Sequence, residues 1–133
     1  MMKKLLVDSD FLVGVFREDD GNHKKAMILL ESMRGEEVEL WMSNLVQQES
    51  ATVISHRVGM EAVGSFIKRL TADVHKTVRI DEKLEKDSWK IFLKQTKKGC
   101  SFVDCSNLAV IYRYKLDGIL AFDEFYPKGL RLE

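Results

Sequence analysis

The sequence predicts an α/β protein with a central, mostly parallel sheet of four to five strands flanked by helices. Short apolar segments such as residues 5–7 and 119–122 have the length and composition of buried strands. The segments between them carry apolar residues at helical spacing, and strands that alternate with helices favour a parallel sheet. With one proline and eight glycines, the 133 residues contain no linker or internal repeat. We therefore expect a single domain over residues 1–133.

Apolar spacing and capping residues then fix the elements in order. In the first half we expect a strand over 5–7, helices over 9–17 and from Asn22 to near Gly35, a strand over 38–42, and helices over 44–58 and 60–70. In the second half we expect a weak strand at Val78 and Ile80, a long helix capped by Asp81 and closing at Gly99, a helix over 101–115, a strand over 119–122 and an edge strand over 130–132.

Composition narrows the class of protein. The chain has 21 basic and 21 acidic residues and therefore no formal net charge, which argues against a non-specific polycation. The halves differ, however, because residues 1–66 carry four more acids than bases and residues 67–133 carry four more bases than acids. No apolar run approaches the length of a membrane span, and Asp8 interrupts the first one too early for a secretory signal. We expect a cytoplasmic protein without a membrane partner.

Four acidic residues do not fit the pattern of a solvated surface. Asp8 and Asp123 directly follow two predicted strands, and ligands of open α/β sheets bind where parallel strands end. Glu49 lies between Leu45 and Val53 on an apolar helix face. Asp104 has apolar residues four and seven positions later, which turns it inward. These positions predict one acidic site.

Each of the four acids also has a structural explanation when it is taken alone. Asp8 or Asp123 could cap a helix or close a turn, and Ser101 with Asp104 fits a capping box. A buried ion pair is the corresponding explanation for Glu49, although the nearest basic residue, Arg57, is two turns away. Four unrelated explanations in one small domain are less economical than a single cluster.

An acidic cluster restricts the chemistry. Two carboxylates 4 Å apart repel by about 4 kcal/mol at an effective dielectric constant near 20, so the cluster needs either protons or cations. Oxygen ligands without histidine or cysteine favour Mg²⁺ or Mn²⁺, and a water bound to such an ion can hydrolyse a phosphodiester. The two cysteines alone are too few ligands for structural zinc, and we expect them to be buried or helical thiols.

At this point the sequence resembles a known family. The segments LLVDSDFL at 5–12, SNLVQQE at 43–49, SFVD at 101–104 and ILAFD at 119–123 are similar to those of PIN-domain ribonucleases, and the length and layout resemble VapC-like toxins of toxin–antitoxin pairs. The resemblance covers residues 3–132. It implies a PIN-like fold and endonucleolytic, metal-dependent cleavage of RNA.

The resemblance also implies roles for individual residues. Asp8, Glu49, Asp104 and Asp123 match the acidic quartet that binds one or two Mg²⁺ or Mn²⁺ ions and catalyses hydrolysis. Ser9, Asp10 and Ser101 match secondary positions near the metal, although Asp10 fits a helix cap equally well. Two departures weaken the expectation of a second ion: Ala121 stands where many members have threonine, and Phe125 replaces an acid found in some members. The family further implies a homodimer and an antitoxin partner.

A stripe of lysines offers a candidate surface for RNA. Its members recur at helical spacing and comprise Lys83, Lys86, Lys90, Lys94 and Lys97. The same pattern is typical of a solvated helix face supported by acids four residues away, and that interpretation is the simpler one.

Two other functions remain open from the sequence. Asp8-Ser9-Asp10 after a strand also resembles the motif of haloacid-dehalogenase-type phosphatases, but the later lysine and acidic motif of that family have no clear match. A PIN-like fold could also serve as a binding or regulatory module without catalysis.

Overall fold

In a computed structural model that describes residues 2–132, the chain forms one parallel sheet of five strands flanked by helices. The strands are β1 (Lys3–Val7), β2 (Val38–Ser43), β3 (Lys76–Val78), β4 (Gly118–Leu120) and β5 (Arg131–Leu132). The helices are α1 (Ser9–Phe16), α2 (His23–Ser32), α3 (Asn44–Arg57), α4 (Met60–Asp73), α5 (Glu82–Lys94) and α6 (Phe102–Tyr114). The predicted fold class is confirmed.

The strand order creates a cleft beside β1. The order is β3-β2-β1-β4-β5, so the chain moves outward from β1 to β3 and then crosses to the other side of β1 to form β4. Parallel pairing sets Leu6 of β1 against Trp41 of β2 on one side and Ile119 of β4 on the other. Such a reversal of direction marks the ligand-binding edge of an open α/β sheet.

Alternating residues of β1 build two cores. Leu5 and Val7 pack with Phe11 and Phe66 on the face covered by α1 to α4. Leu6 points to the other face, where it packs with residues of α5 and α6 such as Leu84. Because both faces are covered, the second half of β1 is a continuous apolar run over Leu5–Val7, and Asp8 is the first polar residue after it.

Gly118 allows β4 to lie close to the chain beside it. A Cβ atom at this position would stand 2.6 Å from the carbonyl oxygen of Leu130, which is closer than any side chain tolerates. The glycine therefore lets Ile119 donate its backbone N–H to Leu130 at 2.8 Å. This pairing carries the chain towards Asp123 at the edge of the sheet that carries the acids.

Most element boundaries agree with the sequence to within a few residues, with three corrections. The fifth helix ends at Lys94 and not at Gly99, because Gln95 turns into extended backbone. Ile80 lies outside β3, since its backbone N–H donates to the side chain of Asn44 at 2.8 Å. Asn22 precedes α2 but makes no side-chain capping bond.

No helix within residues 2–132 has the length and apolarity needed to cross a bilayer.

Candidate active site

The sheet brings Asp8 to its carboxyl edge. Asp8 follows Val7 of β1, and its backbone N–H donates to the carbonyl of Leu120, the last residue of β4, at 3.0 Å. Its side chain accepts the backbone N–H of Ser9 at 2.8 Å, so Asp8 also caps α1. The capping explanation is therefore correct as a local description, and it places the carboxylate inside the cleft.

Asp8 is the most deeply buried acid of the site, with 3% of its surface exposed. Its Oδ2 accepts the hydroxyl of Tyr126 at 2.8 Å, and its Oδ1 accepts the amide of Asn107 at 3.2 Å. Burial raises the pKa of Asp8 to about 7, and the negative charges of Asp10 and Asp104 add to this effect.

Asp104 meets Asp8 through Tyr126. It occupies the third position of α6 and forms a reciprocal capping box with Ser101, with distances of 3.0 and 3.1 Å. Its Oδ1 lies 3.3 Å from the hydroxyl oxygen of Tyr126. Burial raises the pKa of Asp104, and the charge of Asp123 acts in the same direction. Asp104 thus caps its helix with one oxygen and faces the cluster with the other.

Asp10 has a larger part in the site than its secondary place in the sequence prediction. Its Oδ2 accepts the backbone N–H of Phe122 at 3.0 Å, which fastens α1 to the segment after β4. Its Oδ1 is buried and has no hydrogen-bond partner among the residues that the structure describes. Burial raises the pKa of Asp10 to about 6, with a further contribution from the charges of Asp123 and Asp104. An unpartnered carboxylate oxygen among acids is a natural position for a cation ligand.

Glu49 and Asp123 are the other two predicted acids, and they come from α3 and from the segment after β4. Glu49 projects from α3 and accepts a hydrogen bond from the hydroxyl of Ser9, which connects it to the residue beside Asp8. Asp123 is exposed, and its Oδ1 accepts the backbone N–H of Phe125 at 2.9 Å, so the turn explanation also holds for it. Its charge nevertheless acts on both Asp10 and Asp104.

The structure therefore gathers the acids without forming a finished metal site. Within residues 2–132, no group of three or more histidine, cysteine, aspartate or glutamate side chains is already arranged around a common point for an ion. The donor set is nevertheless all oxygen, and neighbouring negative charges raise the pKa of Asp8 and Asp10. One buried oxygen, Asp10 Oδ1, has no hydrogen-bond partner among residues 2–132. These features fit a hard divalent cation, which would offset the repulsion.

Sequence reasoning missed two site residues, Tyr126 and Asn107. Both are buried, and the Asn107 amide donates to the Tyr126 hydroxyl at 3.0 Å as well as to Asp8. Asn107 lies three residues after Asp104 and therefore on the same side of α6, a signal that the sequence did contain. Tyr126 carries no such local signal, because it contacts Asp8 across 118 residues of chain.

The lysine stripe separates into parts. Lys83 and Lys86 lie near acids of their own helix, at 3.3 Å from Asp87 and 3.8 Å from Glu82. Lys90 and Lys94 are exposed on α5. Lys97 lies beyond the end of α5 and donates to the carbonyl of Glu124 at 2.9 Å, directly after Asp123. Within residues 2–132, this end of the stripe therefore lies beside Asp123, through backbone contacts of the segment that follows it.

Lys97 also lines a cavity of about 440 Å³ beside the acidic cluster. The other residues that line it are Lys98, Gly99, Cys100, Asp123, Glu124 and Phe125. Basic and acidic groups thus share one opening at the surface.

The geometry does not favour the phosphatase alternative. In that chemistry Asp8 would have to attack phosphorus as a free nucleophile. Both of its oxygens instead accept hydrogen bonds, and the side chain is almost fully buried.

Comparison with solved structures supports the assignment of the fold. VapC20 from Mycobacterium tuberculosis, a sarcin–ricin loop cleaving toxin, superposes with a TM-score of 0.80 at 23% identity over 91% of each chain. VapBC2 from Rickettsia felis, bound to a DNA fragment from their promoter, gives 0.67 at 11% identity over 90% of this chain and 87% of that one. FitAcB from Neisseria gonorrhoeae gives 0.60 at 16% identity, over 92% and 88%.

No family model and no curated protein matches the sequence. The structural likeness confirms the PIN-like fold that the sequence resemblance implied. At identities below 25% it is a likeness of fold, and the activity of this chain has to be argued from its own site.

Proposed function

We propose that this chain is a metal-dependent endoribonuclease and the toxin of a toxin–antitoxin pair. The observation that carries the proposal is the convergence of Asp8, Asp10 and Asp104 beside the carboxyl ends of β1 and β4, where Tyr126 contacts both Asp8 and Asp104, and where the charge of Asp104 raises the pKa of both Asp8 and Asp10. Burying several carboxylates close together destabilises the folded chain, and active sites are where such arrangements are found. The likeness to VapC20, a sarcin–ricin loop cleaving toxin, supports RNA as the substrate.

A divalent ion completes the proposed site. Asp8, Asp104, Glu49 and Asp123 would hold Mg²⁺ or Mn²⁺, and the free oxygen of Asp10 is a further ligand. When bound, such an ion supplies an activated water and charge stabilisation for a phosphodiester leaving group. The all-oxygen donor set supports this choice of metal.

The chain's own residues prepare that site in three ways. Ser9 orients Glu49 by donating its hydroxyl to the carboxylate. Ser101 holds Asp104 through the capping box, and the backbone N–H of Phe122 holds one oxygen of Asp10. Each contact occupies one oxygen of its carboxylate. The other oxygen of Asp104 lies 3.3 Å from the Tyr126 hydroxyl, and the other oxygen of Asp10 is buried.

The phosphate backbone of RNA is proposed to cross the cavity beside Asp123. Lys97 and Lys98 line that cavity, whereas Lys83 and Lys86 lie near acids at the far end of α5. Lys90 and Lys94 extend the same surface along the helix. A basic border around an acidic centre would bind the charged backbone without specifying sequence.

The direct test is cleavage of a defined RNA. Purified protein is incubated with an oligonucleotide that contains a sarcin–ricin loop, and with a scrambled oligonucleotide of equal composition, in Mn²⁺ or in EDTA. We expect internal cleavage in Mn²⁺ and none in EDTA, with the loop cut faster than the scrambled RNA. Bound Mn²⁺ without cleavage of either RNA would contradict a nuclease and favour the non-catalytic module.

A lysine that lines the cavity and a lysine of the stripe near the start of α5 give a prediction of their own. Lys98→Ala should raise KM for RNA by about threefold to tenfold, because one phosphate contact is lost. The slope of the logarithm of the binding constant against the logarithm of the salt concentration should become shallower by about one. Lys86→Ala, at the end of α5 near Glu82, is the matched control and should change neither quantity. Equal effects of the two substitutions, measured by fluorescence anisotropy at several salt concentrations, would place the RNA elsewhere.

Protein partners are part of the proposal as well. An antitoxin and a second copy of this chain are the partners that the family resemblance implies. Exposed apolar side chains are available for such contacts, including Ile28, Met60 and Leu93, which are 60%, 72% and 76% exposed.

A further inference from the structure

Two buried polar residues lie between the acids and have no part in hydrolysis as described so far. Tyr126 is 3% exposed and Asn107 is fully buried. The hydroxyl oxygen of Tyr126 stands 2.8 Å from Asp8 Oδ2 and 3.3 Å from Asp104 Oδ1. One neutral group thus contacts two carboxylates that would otherwise face each other directly.

The direction of the hydrogen bonds follows from the chemistry of the groups. An amide nitrogen can only donate, and Asn107 Nδ2 lies 3.0 Å from the Tyr126 hydroxyl and 3.2 Å from Asp8 Oδ1. The hydroxyl accepts from Asn107, so its single proton is directed at the carboxylates. Both side chains therefore aim donors at the acids.

Asn107 destabilises the folded chain in a way that an apolar side chain of similar size would not. The carbonyl oxygen of Asn107 is buried and has no hydrogen-bond partner within the described part of the chain. An unsatisfied buried acceptor costs about 1–3 kcal/mol. A leucine at this position would fill similar space without that cost, so the amide is explained by what its nitrogen does.

We infer that Tyr126 and Asn107 are positioning residues that fix the carboxylates of Asp8 and Asp104 for a divalent cation. The inference rests on the proposed function. A hydroxyl or amide donor occupies one lone pair of a carboxylate oxygen, fixes the orientation of the group and leaves its charge available to a metal. Removing an outer hydrogen-bond donor of this kind typically weakens metal affinity by 10–100-fold.

Tyr126→Phe tests this role because it removes one oxygen and keeps the ring. The ring packs in the core beside Phe125, with centroids 5.2 Å apart, so we expect the variant to fold. The Kd for Mn²⁺, measured by isothermal titration calorimetry, should rise at least tenfold. A purely structural role would lower the melting temperature and leave the Kd unchanged.

Tyr112→Phe is the matched control. Tyr112 belongs to α6, as Asp104 does, but is 57% exposed, and its substitution should leave the Kd for Mn²⁺ unchanged. Asn107→Ala is a second variant and should also weaken Mn²⁺ binding, since it removes the donor that directs the Tyr126 hydroxyl.

The outcomes separate this inference from the proposed function. A wild-type chain that binds no Mn²⁺ overturns both. Wild-type binding together with an unchanged or lower Kd in Tyr126→Phe overturns the positioning role and leaves the nuclease proposal intact.

Discussion

Asp8→Asn should lower kcat/KM for RNA by at least about 1,000-fold. The substitution keeps the size of the side chain and removes one negative charge from the centre of the site. Asp8 is the acid that the other residues surround, since it accepts hydrogen bonds from Ser9, Asn107 and Tyr126. Losing a ligand to the ion costs several kcal/mol of transition-state stabilisation, and about 4 kcal/mol corresponds to three orders of magnitude in rate.

The measurement is single-turnover cleavage in saturating Mn²⁺, so that a simple loss of metal affinity is separated from a loss of chemistry. Asp73→Asn provides the control, because Asp73 is exposed and pairs with Arg69 on the surface of α4. It should cleave at the wild-type rate. Cleavage by Asp8→Asn at a rate within tenfold of the wild type would remove Asp8 from the active site.

The positions of Asp8 and Asp123 could be predicted because topology places them. Asp8 directly follows β1, and Asp123 lies three residues beyond β4, which ends at Leu120 and not at the predicted residue 122. Parallel strands end at the same edge of a sheet. The prediction needed no knowledge of side-chain contacts. The local alternatives did not compete with it: Asp8 caps α1 and Asp123 closes a turn, yet Asp8 contacts Tyr126 beside Asp104 and the charge of Asp123 acts on Asp10 and Asp104.

The parts of the site that the sequence did not reveal depend on tertiary contacts. Tyr126 comes from a loop and reaches Asp8 only because the fold brings it there. Asp10 was assigned a secondary place because the resemblance put it beside the metal and it fitted a helix cap equally well; here its Oδ2 instead accepts the backbone N–H of Phe122, across 112 residues of chain. The pattern of α5 continued past Lys94, but Lys97 instead donates to a carbonyl beside Asp123.

The zero net charge of the chain has to be considered together with where the charges lie. No net charge argues against binding RNA through an overall positive field. The structure gathers several of the acids in one cleft and leaves Lys97 and Lys98 at its border. If a divalent ion offsets the acids, the surface that remains around the cleft is basic. A neutral chain can therefore present a local binding surface for RNA.

The same acids should make the metal-free protein less stable as the pH rises from 5 to 8. Burial raises the pKa of Asp8 from an ordinary value of 3.8 to about 7 in the folded chain, and that of Asp10 to about 6. The folded state therefore holds more protons than the unfolded state between these values. The stability that these two groups contribute is therefore largest below pH 4 and is lost as the pH rises through 6 and 7.

Asp8→Asn should remove part of this dependence. In EDTA at pH 8 we expect the variant to be more stable than the wild type by about 1–3 kcal/mol, since a neutral amide avoids the cost of a buried charge among like charges. At pH 5 the difference should shrink, because Asp8 is then protonated in the folded wild type. Urea unfolding at both pH values measures the two differences directly.

At pH 8, Mn²⁺ should make the wild type more stable than Asp8→Asn. The ion binds the folded wild type and stabilises it by an amount that grows with its concentration, whereas the variant has lost a ligand. Asp73→Asn should follow the wild type in every condition. The opposite result would be a wild type that gains stability relative to Asp8→Asn between pH 5 and pH 8 in EDTA. It would show that ionisation of Asp8 does not destabilise the folded chain. The repulsion that a cation is proposed to offset would then be absent.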